Sequence, residues 1–368
     1  MNPVTLFLAG DVMTGRGLDQ AMRHPCSPML HEPLVRDARR YVDLAEAAHG
    51  PIPRPCSPDY PWGDALAVLD EIRPVARIIN LETSITTSND WCRDKDIHYR
   101  MHPANIDCLK AAGIDIATLA NNHTLDWGRE GLVETLDSLH RAGFQTAGAG
   151  RTLEEARQRA VVTVNAGCRV LLWSVGSGTS GIPEHWRATD ERSGLNMVRD
   201  LDQGTAEALA QEAAAVKHPG DIALVSIHWG TNWGFDVPEG FVAFAHRLID
   251  GGIDLVYGHS SHHVRPIEVY RERLILYGCG DLLDDYEGIA GHEKYRSDLG
   301  LLYFPQCHAA TGRLMGLTMV PMHTRRFSLC HAGHDEASWL RDTLSRISRP
   351  FGCSVKLESS GALAVVSG

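Results

Sequence analysis

Short apolar runs recur along the chain, and five of them close on a polar residue able to bind a metal or move a proton. The run 4–9 leads to Gly10-Asp11, and 76–81 leads to Glu82. The run 114–120 leads to Asn121-Asn122-His123, 221–227 to His228, and 255–257 to Gly258-His259. Apolar runs of this length, bounded by turn residues, predict buried strands. Apolar positions at helical spacing predict helices over 41–49, 62–72, 103–112, 130–142, 201–217, 239–250 and 337–348. Further strands are expected at 145–149, 299–305 and 314–322. Two hairpins are expected as well, 160–164 with 170–175 across Asn165 to Cys168, and 267–270 with 274–277. The alternation of strands and helices makes this an α/β protein.

Three stretches resist this reading. Residues 18–60 carry Pro25, Pro28, Pro33, Pro51, Pro53, Pro55 and Pro58, which predict a long proline-rich excursion, functional or mobile. Residues 176–200 are glycine-rich and polar. The segment from Gly280-Asp281 through Asp284-Asp285-Tyr286-Glu287 to Arg296 reads as a solvated acidic loop, with the alternative that it walls a substrate site. There is no internal repeat and no low-complexity linker, so residues 1–368 are expected to form a single domain.

Composition narrows the function classes. With 43% hydrophobic and 22% charged residues the chain is globular in type. A formal net charge of −11 argues against nucleic-acid binding, which needs a basic footprint. It favours a neutral or basic partner such as a peptide. The nine cysteines are scattered without a C-x-x-C pair, so neither a disulfide framework nor a cysteine zinc site is expected. The first apolar run is too short for a signal peptide or a membrane span. A cytoplasmic protein without membrane contact is therefore expected, and its oligomeric state is not legible in the sequence.

The strand ends carry the chemistry. In α/β sheets reactive groups collect at the carboxyl edge. Asp11, Glu82, Asn122, His228, His259 and His262 together offer carboxylate, amide and imidazole ligands for a divalent ion. Singly, each has a plainer role: Asp11 as a turn former, Glu82 as a surface acid, His228 as a satisfied core histidine. Mn, Zn, Co, Mg and Ca all remain open, and no organic cofactor is expected.

The motifs Gly10-Asp11-Val12-Met13-Thr14-Gly15-Arg16, Asn80-Leu81-Glu82, Leu119-Ala120-Asn121-Asn122-His123, Ile227-His228-Trp229-Gly230 and Gly258-His259-Ser260-Ser261-His262 resemble those of the CapA-type family of poly-γ-glutamate capsule synthesis. That family is similar to the calcineurin-like metallophosphatases. The resemblance spans roughly residues 4–305 and implies a four-layer α/β/β/α sandwich of two mixed sheets, with metal held between the sheet edges. It implies Asp11 and His262 as ligands of a first metal, Glu82 as a bridge, and Asn122, His228 and His259 as ligands of a second. It makes His123 the proton-transfer residue. Two departures stand out. Met13 occupies a position where the phosphatase pattern has histidine, and Glu82 one where it has aspartate, so the first metal position is expected to be weak.

Family members are typically anchored or exported, so a cytoplasmic relative is expected to use the site differently. The chain resembles the family's lasso-peptide epimerases. That resemblance implies inversion of the Cα of a C-terminal residue, tryptophan by expectation, in a ribosomal precursor peptide. His123 is the first acid–base candidate and His98 the second. Arg16 and Arg100 are candidates to pair with a substrate carboxylate, and Trp229, Trp233 and Phe235 to form an aromatic pocket, with core packing the alternative. The competing expectation is a metal-dependent hydrolase of phosphoester or γ-glutamyl amide bonds.

Overall fold

The strand Val4–Val12 is buried on both faces, so its alternate side chains serve two different cores. Leu6 and Leu8 enter a layer shared with Val170, Leu172, Leu224, Leu255 and Tyr257. Phe7 and Ala9 face the opposite way, against Trp62, Leu69, Leu109, Leu132 and Leu136 of the flanking helical segments. Strand Ile222–His228 repeats the pattern. Ile222 and Leu224 join the first core, while Ala223, Val225 and Ile227 pack with Phe244, Ala245 and Leu248 of helix Glu239–Asp250. Three apolar layers separated by two sheets make four layers of structure, helix, sheet, sheet and helix. This computed structural model, which describes residues 3–165 and 167–367, thus has the expected α/β/β/α sandwich.

Among the described residues the larger sheet has ten strands and the smaller seven. In the larger, Val4–Val12 runs parallel to Ala76–Leu81, which runs parallel to Ile116–Thr118. On its other side Val4–Val12 pairs antiparallel with Leu299–Cys307, so the sheet is mixed. In the smaller, Cys168–Ser177, Ile222–His228 and Leu255–His259 are parallel neighbours, and the hairpin Ile267–Tyr270 with Arg273–Leu276 completes one edge. The Tyr257 hydroxyl donates across the interface to the Ala9 carbonyl, which ties the sheets together just before Asp11. Helix His334–Ser348 inserts Leu340, Leu344 and Ile347 into the core between the sheets.

Several expectations are corrected. The excursion at 18–60 is packed: it carries helices Arg16–Ala21 and Arg39–His49, and buries Val42, Ala45, Ile52 and Cys56. Asp19 holds it down by accepting bonds from the amides of Cys26 (2.6 Å) and His102 (2.9 Å). The acidic segment is solvated only in its later part, around Ala290 to Lys294: Asp281–Leu283 forms a strand parallel to Val4–Val12, Asp281, Asp284 and Asp285 are buried, and residues 285–290 wall a cavity. The helix expected at 62–72 breaks at Gly63 (φ 44°) into Tyr60–Trp62 and Ala65–Ile72. A Cβ at Gly63 would lie 2.2 Å from the Leu329 carbonyl oxygen. A closing hairpin, Cys353–Leu357 with Leu363–Ser367, was not foreseen. The expected hairpin Ala160–Asn165 with Cys168–Ser177 forms, and Ala166 in its turn lies outside the described residues. All nine cysteines are free. Among the described residues no helix is long and apolar enough to cross a membrane.

Candidate metal centre

Strand register assembles the centre. Asp281, Asp11, Asn80 and Thr118 are successive partners across four neighbouring strands, so they form one row at the carboxyl end of the larger sheet. In the smaller sheet His228 and His259 are register partners at the ends of their strands. Where the two edges meet, His228 Nδ1 lies 2.7 Å from His259 Nδ1, and His228 Nε2 lies 2.8 Å from Asn122 Oδ1. Asp11 Oδ1 is 3.9 Å from His259 Nδ1, and Glu82 Oε1 is 4.0 Å from His228 Nε2. The ligand atoms of Asp11, His228 and His259 all lie within 4.8 Å of one another, and the three side chains are buried.

The electrostatics are those of a cation site. Burial, with Asp281 beside it, pushes the Asp11 carboxyl up to about 7. Burial and then Asp11 and Asp281 hold Glu82 well above the usual carboxylate range. Burial drives His228 well below the ordinary imidazole range, with His259 and His123 adding to it, and pushes His259 down to about 3. Buried carboxylates that repel one another and buried imidazoles that stay unprotonated are both stabilised by a divalent ion. The Asn80 amide supports the acids, donating to Asp11 Oδ1 (2.7 Å) and Glu82 Oε2 (3.3 Å), and the Ser260 amide donates to Asp11 Oδ2 (3.2 Å). These residues fit a divalent metal ion as cofactor.

Beside this centre stands His123. Its Nδ1 is 2.6 Å from Asp126 Oδ2, and its Nε2 is 3.7 Å from Glu82 Oε1. Burial pushes the ring down to about 4, so it is neutral at pH 7. Burial alone would lift Asp126, but His123 and Lys95 hold it below the usual range. Lys95 Nζ donates to Asp126 Oδ1 (2.6 Å) and to the Asn122 carbonyl. Lys95 and Asp126 were not singled out from the sequence, and Asn80 entered only as part of the Asn80-Leu81-Glu82 motif, without a role. The spacing of Asp126 three residues after His123 was the available signal; Lys95 sits in a loop with none.

Other expected site residues lie elsewhere. His98 is buried among Trp91, His31 and Trp127, and its Nε2 is 2.7 Å from the Cys92 carbonyl oxygen. Arg100 donates to the Ser88 carbonyl (2.6 Å) and Asn89 Oδ1 (3.2 Å) and stacks over Trp127. Neither reaches the centre. Trp229 is core: it packs on Phe241 and Phe244 and donates from Nε1 to the Tyr277 carbonyl (3.0 Å). Phe235 packs on His263 and Tyr295. Trp233 stacks on His292 and stands 5.3 Å, ring to ring, from His262, at the rim. Arg16 does line the cavity, but its guanidinium is already bound by Asp285 (2.5 and 3.1 Å) and Glu32 (3.0 Å).

A cavity of about 810 Å³ opens above the centre. Glu82, Asn122, His123, Ser260 and His262 contribute its polar side, and Leu34, Leu44, Ala45, Ala48 and Ile97 its apolar one. Helix Arg39–His49 supplies three of these apolar side chains, so the excursion walls the site.

Residues 5–286 match the family described as "Bacterial capsule synthesis protein PGA_cap". The chain is 50% identical over 364 residues to a "Probable polyglutamine synthesis accessory protein" of Mycobacterium tuberculosis, covering 99% of this chain and 96% of that one. It is 28% identical over 197 residues to the "Capsule biosynthesis protein CapA" of Bacillus anthracis, covering 52% of this chain and 45% of the relative. Among solved structures, a 5'-nucleotidase precursor from Thermus thermophilus superposes with a TM-score of 0.48 at 14% identity, covering 92% of this chain and 57% of the other. The near full-length match to a polyglutamine-synthesis relative overturns the expectation of an isomerase of lasso-peptide biosynthesis. Of the residues expected to serve that reaction, His98 is turned to the Cys92 carbonyl, Arg100 to Ser88 and Asn89, and Arg16 to Asp285 and Glu32. With a family match over residues 5–286 and half of its residues shared with a full-length relative, the chain belongs to the bacterial capsule synthesis (PGA_cap) family.

Proposed function

We propose that this protein is a metal-dependent hydrolase that cleaves γ-glutamyl amide bonds. The observation that carries the reading is the meeting of Asp11, Glu82, Asn122, His228 and His259 beside the His123–Asp126 pair, at the foot of an open cavity. The resemblance to poly-γ-glutamate capsule synthesis proteins, together with relatives named for polyglutamine and capsule synthesis, supports a glutamyl substrate. A bound divalent ion supplies Lewis acidity and a strong nucleophile at neutral pH. This chain's residues supply the rest. Asp126 accepts from His123 Nδ1–H and thereby leaves the lone pair on Nε2, the nitrogen facing Glu82. His123 accepts a proton from the attacking water at Nε2 and passes it to the departing amine. His123 and then Lys95 hold Asp126 below the usual carboxylate range, so it faces the imidazole as a carboxylate.

The neutralised cations of the cavity wall favour an amide over a phosphate dianion. Arg16 and Lys95 are each already paired with buried carboxylates, so they offer little surplus charge to a phosphoryl group. The test is to incubate metal-loaded protein with γ-glutamyl oligomers and, separately, with phosphomonoesters and phosphodiesters. Release of a free amine by wild type but not by His228→Ala supports the proposal. Phosphate release without amine release replaces the substrate class, and turnover by a chelator-stripped protein overturns the metal mechanism.

A further inference from the structure

Met13 stands where the metallophosphatase pattern has a metal-binding histidine, two residues after Asp11 and just past the end of the strand. Read along the chain, the first metal position has lost a ligand. Read across the sheet, it has an unexpected neighbour. Asp281 is the register partner of Asp11 on the adjacent parallel strand Asp281–Leu283, so the two carboxylates project from the same side, one strand apart.

The approach is built into the backbone. The Asp11 amide donates to the Gly280 carbonyl (2.9 Å) and the Met13 amide to the Leu283 carbonyl (2.6 Å). A Cβ at Gly10 would lie only 1.7 Å from the Gly280 carbonyl oxygen, so the two segments pass at a distance that only glycine at position 10 permits. Gly280 itself has φ +78°. The side chain is then aimed. Tyr286 donates to Asp281 Oδ2 at 2.6 Å, and His262 Nδ1 lies 3.0 and 3.1 Å from the two carboxylate oxygens. His262 and Asp281 thus stand side by side, a carboxylate and an imidazole that together could hold a divalent ion.

From this geometry we infer that Asp281 is a ligand of the first metal position and takes the place left open at Met13. The inference rests on the metal-centre reading above and specifies it further. The first position then consists of Asp11, Glu82, Asp281 and His262, three carboxylates and one imidazole. The second, with Asn122, His228 and His259, is richer in nitrogen. Oxygen-rich sites favour harder ions such as Mn(II) or Mg(II), whereas imidazole-rich ones favour Zn(II) or Co(II). The two positions of this chain therefore differ in metal preference.

The test uses full-length, chelator-stripped protein titrated with Mn(II) and with Zn(II) by calorimetry, with bound metal counted by elemental analysis. Asp281→Ala and the isosteric Asp281→Asn are compared with wild type, and their folding is checked by thermal melting. The expected result is two ions in wild type and one retained tightly in either variant. The weakened site should lose on the order of tenfold to a hundredfold in affinity, or more. Asp281→His should swing that same site toward Zn(II), an effect that a residue merely orienting His262 would not produce. Retention of both ions at wild-type affinity by Asp281→Ala and Asp281→Asn overturns the inference, and so does an unchanged Mn(II)/Zn(II) preference in Asp281→His. A wild-type chain that takes up no ion defeats the hydrolase reading as well, so the two failures are distinguishable.

Discussion

His123 Nδ1 and Asp126 Oδ2 lie 2.6 Å apart, with the opposite ring nitrogen of His123 facing Glu82 at the metal centre. A carboxylate behind an imidazole fixes both the ring's orientation and its tautomer. His123→Ala should therefore lower kcat by about a hundredfold to ten-thousandfold, the usual contribution of a general acid–base group. Metal content should be unchanged. Asp126→Asn should lower kcat in the same direction while leaving KM close to wild type. The check is steady-state kinetics beside elemental analysis, and a loss of metal in His123→Ala would move that residue into the ligand set.

Removing metal should abolish turnover, and His228→Ala should do so without unfolding the chain. His228 touches Asn122 and His259 at the junction of the two sheet edges, so its loss opens the histidine-rich position. Dialysis against a chelator followed by re-addition of single metals checks this: activity should vanish and return in wild type, and stay absent in the variant.

Arg16→Leu should destabilise the fold by roughly 3–5 kcal/mol, the cost of leaving a buried ion-pair partner uncompensated. The guanidinium is buried between Asp285 and Glu32, and each carboxylate would lose its counter-charge. Chemical denaturation measures the loss. A change below about 1 kcal/mol, the range of exposed pairs, would show that the network is hydrated in solution.

A pH effect should appear at His263, whose Nε2 has no hydrogen-bond partner and whose ring packs with Trp233, Phe235 and Tyr295. Burial pushes this imidazole down to about 4, against about 6.5 in an unfolded chain. As pH falls through 6.5 the unfolded state takes up a proton that the folded state refuses, so stability declines until about pH 4. Above pH 6.5 the contribution is fully present. His263→Phe removes the titration, so its stability relative to wild type should rise steadily as pH is lowered from about 6.5 to about 4. Melting temperatures of both proteins across that range test the sign, and parallel curves would contradict it.

Much of the layout was legible in the chain. Apolar runs ending in Asp11, Glu82, Asn122, His228 and His259 are local signals. A strand buried on both faces must be continuously apolar, and ligands placed at its carboxyl end need no distant information to be recognised. The helices followed for the same reason, since spacing along a few turns reports which side is buried. The α/β class and the row of ligand-type residues at the strand ends were therefore legible from local signals, while the four-layer sandwich was what the family resemblance implied.

What only the tertiary structure decided are pairings between residues far apart in the chain. Arg16 and Asp285 are 269 positions apart, and nothing near either residue announces that the arginine is already neutralised. Asp281 read as part of a solvated loop because its own stretch is polar; it is buried because register sets it beside Asp11, across strands remote in sequence. His98 and Trp229 are chemically suited to a site, yet each is enclosed by neighbours contributed from other elements. Residue type states what a side chain can do. Which groups surround it, and whether its charge or lone pair is already spoken for, is settled by contacts that exist only once the two sheets have met.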